Sequence, residues 1–463
     1  MDQSLVFDID LIRRYDKSGP RYTSYPTAVQ FHEGFGEADY RACAAATHDE
    51  PLLRPLSLYF HIPFCDTLCF YCACNKIATK NRAHAVPYLE DLHREIALQG
   101  ALFDRGRVVE QLHWGGGTPT FISHEQMAAL MGQTRRHFTL RDDDGGEYSI
   151  EIDPREVQPD TIRFLRDLGF NRMSMGVQDF DVRVQRAVNR IQTEEQTFAV
   201  LAQAREAGFK SVSVDLIYGL PFQSVDSFGR TVEKVIAAGP DRLSVFNYAH
   251  LPELFKPQRR IKAEDLPAPA EKLAILQQTI EQLTAAGYVY IGMDHFARPD
   301  DELAVAQREG SLYRNFQGYS THAECDLVGL GVTAISMVGP SYAQNVKETG
   351  DYRRLLGEGR LPLYRGIRLD GDDLLRREVI TRLICNFELD FAAIEAAHGI
   401  VFRDYFADEL ESLQGMAADG LLRLEPGVIR VNPAGRLLIR NICMVFDRYL
   451  RERQSPQRFS RVI

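Results

Sequence analysis

No stretch of this 463-residue sequence stays apolar for the ~20 residues a helix needs to cross a bilayer, so a membrane-spanning protein is not expected. The opening Met-Asp-Gln-Ser-Leu-Val-Phe-Asp-Ile-Asp lacks the basic start and apolar block of a secretory leader, which gives a cytoplasmic expectation. Cationic excess is also missing. Fifty-four Lys and Arg against 64 Asp and Glu leave a formal charge of −10, which argues against broad electrostatic capture of nucleic acid or of an anionic membrane. Cysteine is sparse over most of the chain, and Cys43, Cys325, Cys385 and Cys443 stand singly, as small buried apolar side chains do. Four others crowd between positions 65 and 74. That clustering points to metal or redox chemistry rather than to a disulfide framework. What remains, 45% hydrophobic and 25% charged residues, is ordinary for a folded chain with a large core and two or three domains.

Between Ser57 and His250, β-branched apolar runs alternate with longer amphipathic stretches, the pattern of βα units on a parallel sheet. The spacing predicts strands at 57–63, 111–115, 148–153, 172–177, 211–218 and 242–248. Helices are predicted at 86–103, 125–138, 161–168, 194–207 and 227–238. Six such units fit an α/β fold with a curved, incomplete (β/α)6 barrel better than a flat doubly wound sheet, a choice that periodicity alone leaves open. In a barrel the chemistry sits at the carboxyl ends of the strands, and the polar and glycine-rich clusters fall there. His61-Ile62-Pro63-Phe64-Cys65 leaves the first strand, and Gly115-Gly116-Gly117-Thr118-Pro119-Thr120 leaves the second. Glu151 to Glu156 lies on and after the third, Gln178-Asp179 follows the fourth, Asp215 is within the fifth, and Asn247 to His250 close the sixth. Residues 1–50 read as an arm containing Arg21-Tyr22-Thr23-Ser24-Tyr25-Pro26. Residues 370–463 read as a small, mainly helical C-terminal domain, with a strand pair at 421–431 turned at Pro426-Gly427.

The sharpest chemical signal is Cys65-Asp66-Thr67-Leu68-Cys69-Phe70-Tyr71-Cys72, followed by Cys74. Thiolates are soft ligands suited to an iron–sulfur cluster or to zinc. Zinc sites usually divide their ligands into two separated pairs, so this single burst favours a cluster over a zinc knot that uses Cys74. Three ligands on one loop leave one of four irons open to a cofactor. The triple glycine can bring backbone close to a ligand or can simply make a tight turn, and it is not a phosphate-binding loop, because no Gly-Lys-Ser/Thr follows. Glu151 and Asp215 can accept hydrogen bonds from hydroxyls or an ammonium, and Arg190 can fork onto a carboxylate. Ordinary ion pairs are the alternative for all three. His61, on an alternating strand, fits a satisfied barrel histidine.

Together these motifs resemble the radical S-adenosylmethionine superfamily, in which CxxxCxxC holds a [4Fe-4S] cluster whose fourth iron chelates the cofactor's amino and carboxylate groups. The stretches beginning at Leu58, His113, Ser174 and Asp215 are shared in part across that superfamily. With Met293-Asp294-His295-Phe296-Ala297 and the terminal Phe459-Ser460-Arg461-Val462-Ile463, the chain resembles the oxygen-independent coproporphyrinogen III oxidase family over essentially its whole length. The resemblance implies that Cys65, Cys69 and Cys72 ligate the cluster and that Cys74 is a nearby non-ligand. It implies that Tyr59, Gly116, Glu151 and Ile335 contact the S-adenosylmethionine on the cluster. A second S-adenosylmethionine would meet Tyr71, Gly117, Thr118, Gln178, Arg190, Asp215 and Ala249; the family often has Phe at the first of these, and an aromatic ring is retained here. Residues 51–369 would form the radical-SAM catalytic domain.

The implied reaction begins when one electron enters the cluster and cleaves S-adenosylmethionine to methionine and a 5′-deoxyadenosyl radical. The radical abstracts a hydrogen from a propionate β carbon, and loss of carbon dioxide and one electron leaves a vinyl group. Two propionates of coproporphyrinogen III would react in this way, giving protoporphyrinogen IX for porphyrin and haem biosynthesis. A reducing electron donor is the implied partner, with no nucleic acid and no membrane. Because the substrate bears four carboxylates, Arg21, Arg259, Arg260 and Arg314 are candidates, by residue type, to receive them. A haem-binding chaperone of the same superfamily would keep the three cysteines, but the match at the second cofactor positions and through both termini favours the oxidase.

Overall fold

The computed structural model describes residues 5–49 and 52–451, so the terminal Phe459 to Ile463 motif lies outside the described residues. Two compact units emerge: Phe31–Ala286 with Glu324–Arg368, and Met1–Gln30 with Gly287–Ala323 and Leu369–Ile463.

The first unit is built on six parallel strands, β1 (Leu56–Ile62), β2 (Val108–Gly116), β3 (Glu147–Ile152), β4 (Arg172–Gln178), β5 (Ser211–Tyr218) and β6 (Arg242–Asn247). They lie side by side in chain order, as successive βα units should. Beyond β1 the sheet continues through a parallel β7 (Asp326–Leu330) and antiparallel β8 (Ile335–Val338), β9 (Ser341–Asn345) and β10 (Leu363–Arg368). Among the described residues it stays open and does not close into a full barrel. The expected α/β fold with an incomplete barrel is what the chain adopts.

Register sorts the side chains by chemistry. Phe60, Trp114, Ile150, Met173 and Val212 align in one buried row. Trp114 meets Phe170, just after the helix Thr161–Asp167, edge-on at a centroid distance of 4.9 Å. Because side chains alternate along a strand, the intervening residues form polar rows on the other face. These are Tyr59, His113 and Ser149, then Glu151, Ser174 and Ser213, then Gly176, Asp215 and Ser244.

The intervening helices are α1 (Ala85–Gly100), α2 (His124–His137), α3 (Thr161–Asp167), α4 (Glu194–Glu206) and α5 (Val225–Ala238). Reciprocal capping boxes start three of them: Ser123 with Gln126, Thr193 with Gln196, and Ser224 with Ser227. Gly239, at φ 66°, ends α5 in the left-handed conformation.

The second unit is mainly helical, with Gly371–Asn386, Phe391–His398, Ala407–Ala418 and Ile439–Val445. Its strands Leu422–Glu425 and Val428–Val431 pair antiparallel about Pro426-Gly427, as the sequence predicts. Residues 5–30 belong to this same core. Asn441 donates to the Tyr15 carbonyl at 2.8 Å, Tyr22 donates to Asp447 at 2.9 Å, and buried Arg440 donates to the carbonyls of Gly19 and Pro20.

Candidate active site

The polar rows of β1 to β5 end at a cavity of about 230 Å³. Its wall includes Cys65, Cys69, Cys72 and Cys74, the backbone of Gly116 and Gly117, and Thr118, Glu151, Gln178, Arg190 and Asp215. Tyr71 joins them from the cysteine loop. Three other expected residues, Tyr59, Ile335 and Ala249, do not line this cavity. Tyr59 stands in the row behind it, stacked on His113 at 5.9 Å. Ile335 lies one strand further on: Tyr59 pairs with Gly329, where a Cβ would come within 2.6 Å of the Ile335 carbonyl oxygen. Ala249 is exposed just after β6.

The cysteine loop is anchored from several elements. Ile77 N–H donates to the Pro63 carbonyl at 2.6 Å, Asn189 to that of Leu68 at 2.9 Å, and Gln258 to that of Tyr71 at 3.0 Å. Asp66 pairs with Arg82, whose guanidinium lies 4.2 Å over the Phe121 ring. Cys69 is buried, Cys65 and Cys72 are half-buried, and Cys74 is exposed. Thr118 Oγ1 lies 3.7 Å from Cys65 Sγ, and Arg155 and Arg190 each place a nitrogen 3.7 Å from Cys69 Sγ. Burial pushes the Cys65 thiol up to about 12. The Cys72 thiol is drawn down by its hydrogen bond with Cys74, helped by Lys76.

The carboxylates have distinct surroundings. Burial would raise Glu151, but the hydrogen bond from His113, 3.5 Å away, and the Gly116 amide at 3.1 Å hold its carboxyl below the ordinary value. Burial and the neighbouring Glu151 charge push Asp215 up to about 7, against a hydrogen bond from Ser244. Arg190 is buried, 3.2 Å from Asp153, and donates to the Gly176 carbonyl at 2.5 Å. Despite burial, Arg190 and Arg155 hold Asp153 down at about 2.

His61 is satisfied on both ring nitrogens, by Tyr59 Oη at 3.0 Å and by the Asn75 carbonyl at 2.9 Å. No sequence motif assigns a role to His113, Ser149, Asp153 or Arg155. His113 Nδ1 lies 2.6 Å from Ser149 Oγ and its Nε2 faces Glu151, a contact between neighbouring strands that only the register reveals.

These features suit a thiolate-bound cluster with a charged organic cofactor. Four thiols converge on one cavity, Cys74 among them, and a Cβ on Gly117 would intrude to 2.9 Å from Cys65 Sγ. Among the described residues, Gln178 Oε1 and Arg190 Nε are buried without a hydrogen-bond partner, which leaves polar capacity for a bound molecule.

Residues 59–235 match the Radical SAM superfamily, and residues 369–438 match the HemN C-terminal domain. Over 463 residues the chain is 58% identical to the oxygen-independent coproporphyrinogen III oxidase of Pseudomonas aeruginosa, with 100% of both chains covered. The protein of that name from Synechocystis sp. is 46% identical, with 99% of each covered. The solved structure of coproporphyrinogen III oxidase (HemN) from Escherichia coli, described as a radical SAM enzyme, superposes with a TM-score of 0.91 at 54% identity, covering 96% of this chain and 100% of that one. With the cysteine loop, the polar strand rows and full-length identity in agreement, this chain belongs to the oxygen-independent coproporphyrinogen III oxidase family of radical SAM enzymes.

Proposed function

We propose that this chain converts two propionates of coproporphyrinogen III to vinyl groups by oxygen-independent oxidative decarboxylation, giving protoporphyrinogen IX. The observation that carries the proposal is the convergence of Cys65, Cys69 and Cys72 with Glu151, Asp215 and Arg190 on one cavity, in a chain with full-length oxidase relatives. When bound, the [4Fe-4S] cluster and S-adenosylmethionine supply the electron and the 5′-deoxyadenosyl radical for abstraction of a propionate β-hydrogen. Cys65, Cys69 and Cys72 hold the cluster, and Cys74 supports Cys72 from beside it.

The remaining residues bind and orient. Glu151, kept ionised by His113 and the Gly116 amide, accepts from an ammonium or a hydroxyl of the first S-adenosylmethionine, with Tyr59, Gly116 and Ile335 around it. Tyr71, Gly117, Thr118, Gln178, Arg190, Asp215 and Ala249 receive the second. The Asp153 charge fixes the Arg190 guanidinium in the wall of the cavity, ready to fork onto a carboxylate. Holding these groups before the reaction limits what a radical can reach. The haem-chaperone alternative is not favoured, since the relatives compared over the full chain are oxidases.

The test is anaerobic turnover of coproporphyrinogen III carrying deuterium at the propionate β carbons, followed by mass spectrometry. Labelled 5′-deoxyadenosine and an intermediate with one vinyl group and three propionates are expected before product. Tight haem binding, with neither label transfer nor vinyl product, would overturn the oxidase assignment.

A further inference from the structure

In the second compact unit, Arg314 departs from the usual behaviour of a buried charge. It lies in the strand Tyr313–Asn315, paired antiparallel with Gly318–Ser320, and is 7% exposed. Removing a guanidinium from water without partners costs several kcal/mol, so buried arginines normally meet carboxylates or carbonyls. Among the described residues, Arg314 Nε and Nη1 are buried with no hydrogen-bond partner. What holds the side chain is the face of Tyr319, 4.6 Å from the guanidinium carbon.

That platform is itself built. Tyr319 donates to the Ile384 carbonyl at 3.3 Å, and it fits only because position 292 is glycine, where a Cβ would come within 2.3 Å of the tyrosine oxygen. Gly292 also has φ +144°, which side chains rarely adopt. The neighbouring groups do not neutralise the arginine. Burial pushes the Cys385 thiol up to about 12 and raises the Tyr319 phenol, so both stay uncharged. Asp294, in the Met293 to Ala297 motif, is engaged by Arg21 at 2.9 Å. Arg440, held by the Gly19 and Pro20 carbonyls, adds positive charge close by: burial and the charges of Arg21 and Arg314 pull it down to about 10. Two other arginines suggested by the sequence are differently placed. Arg259 and Arg260 are exposed, the first donating to the Pro252 carbonyl at 3.0 Å and the second lying 5.1 Å over Phe70.

We propose that Arg314 is a carboxylate-binding residue that receives a propionate of the tetrapyrrole substrate, with Arg440 reinforcing the positive field. A planar guanidinium stacked on an aromatic ring keeps its edge free for the paired oxygens of a carboxylate. The identity of the substrate rests on the function proposed above; the carboxylate chemistry rests on Arg314 alone.

The experiment uses coproporphyrin III, the oxidised form of the substrate, which retains the four propionates and can be followed by fluorescence on the cluster-loaded protein. Arg314→Gln should weaken its binding ~10-fold or more, and Arg314→Lys should fall between. The tetramethyl ester of coproporphyrin III should bind wild type and Arg314→Gln alike. Without ligand, Arg314→Gln should melt no lower than wild type, because it removes a buried charge that had no counterion. Equal binding of coproporphyrin III by wild type and Arg314→Gln would overturn the proposal. So would parallel loss of acid and ester binding with a lowered melting temperature, the mark of a structural arginine. If propionate alone stabilised wild type without competing with coproporphyrin III, the site would belong to a small free carboxylate and the tetrapyrrole assignment would fall. Arg314-dependent binding without vinyl product would leave this site standing and overturn the oxidase reading instead.

Discussion

Cys74 is the residue at which two metal chemistries part, because a zinc knot needs a fourth thiolate and a cluster with an open iron does not. Alanine at Cys65, Cys69 or Cys72 should abolish cluster assembly, whereas Cys74→Ala should retain most of it. Iron and sulfide analysis with low-temperature electron paramagnetic resonance checks this, and equal loss in all four variants would contradict the three-ligand assignment. Arg190→Ala and Asp215→Ala should keep the cluster signal yet suppress product formation, since neither side chain is assigned to iron; wild-type turnover at limiting S-adenosylmethionine in both would remove them from the site. The cysteines and the triple glycine are legible in sequence because their chemistry is local. His113 and Asp153 are not. What they do depends on neighbours in other strands or segments, Glu151 and Ser149 for the first and Arg190 for the second, and hydrophobic periodicity carries no register between strands.

The six parallel strands and their helices could be placed from sequence to within a few residues, because short apolar runs alternate with longer amphipathic stretches and the helices carry start signals such as Ser123, Thr193 and Ser224. Strands β7 to β10 carry no comparable signal, since they are four to six residues long and β7 carries Gly329. What fastens them is the Glu95 side chain of α1, which accepts from Gly331 N–H at 2.7 Å, Asn345 at 2.7 Å and Tyr352 at 2.5 Å. Burial pushes Glu95 up to about 7 from an ordinary 4.5, despite those three donors. The folded state therefore binds a proton more tightly than the unfolded chain. Its contribution is fully present below pH ~4.5 and is lost as pH rises through about 7, a change on the order of 3 kcal/mol. Glu95→Gln should flatten that part of the stability–pH profile relative to wild type in urea melts, and an unchanged slope would argue against the shift. In the apolar row, Trp114→Ala should cost ~3–5 kcal/mol. Trp114→Phe should cost much less, because the indole N–H has no partner to lose among the described residues.

At the scale of the whole molecule, a chain with net charge −10 is proposed to take a substrate with four carboxylates, so attraction must come from local groups such as Arg314 rather than from the overall field. The same scale limits what a reading in chain order can recover. The second unit draws on three separate stretches, and the bonds that join them span more than four hundred residues, as from Arg440 to Pro20. No local pattern marks such partners. Cut away from residues 1–30, the C-terminal stretch would lose the Gly19 and Pro20 carbonyls that receive the Arg440 guanidinium, the Tyr15 carbonyl that receives Asn441, and the Tyr22 hydroxyl on Asp447. Taking hydrogen-bond partners away from a buried guanidinium costs up to ~3–5 kcal/mol, a large share of the ~5–15 kcal/mol that holds a domain folded. A fragment of residues 369–463 should therefore show no cooperative thermal transition by circular dichroism. Arg440→Met in that fragment should recover part of the lost stability, because it removes the charge that the missing carbonyls had satisfied, whereas a cooperative melt of the unmodified fragment would show that the N-terminal residues are dispensable to this core.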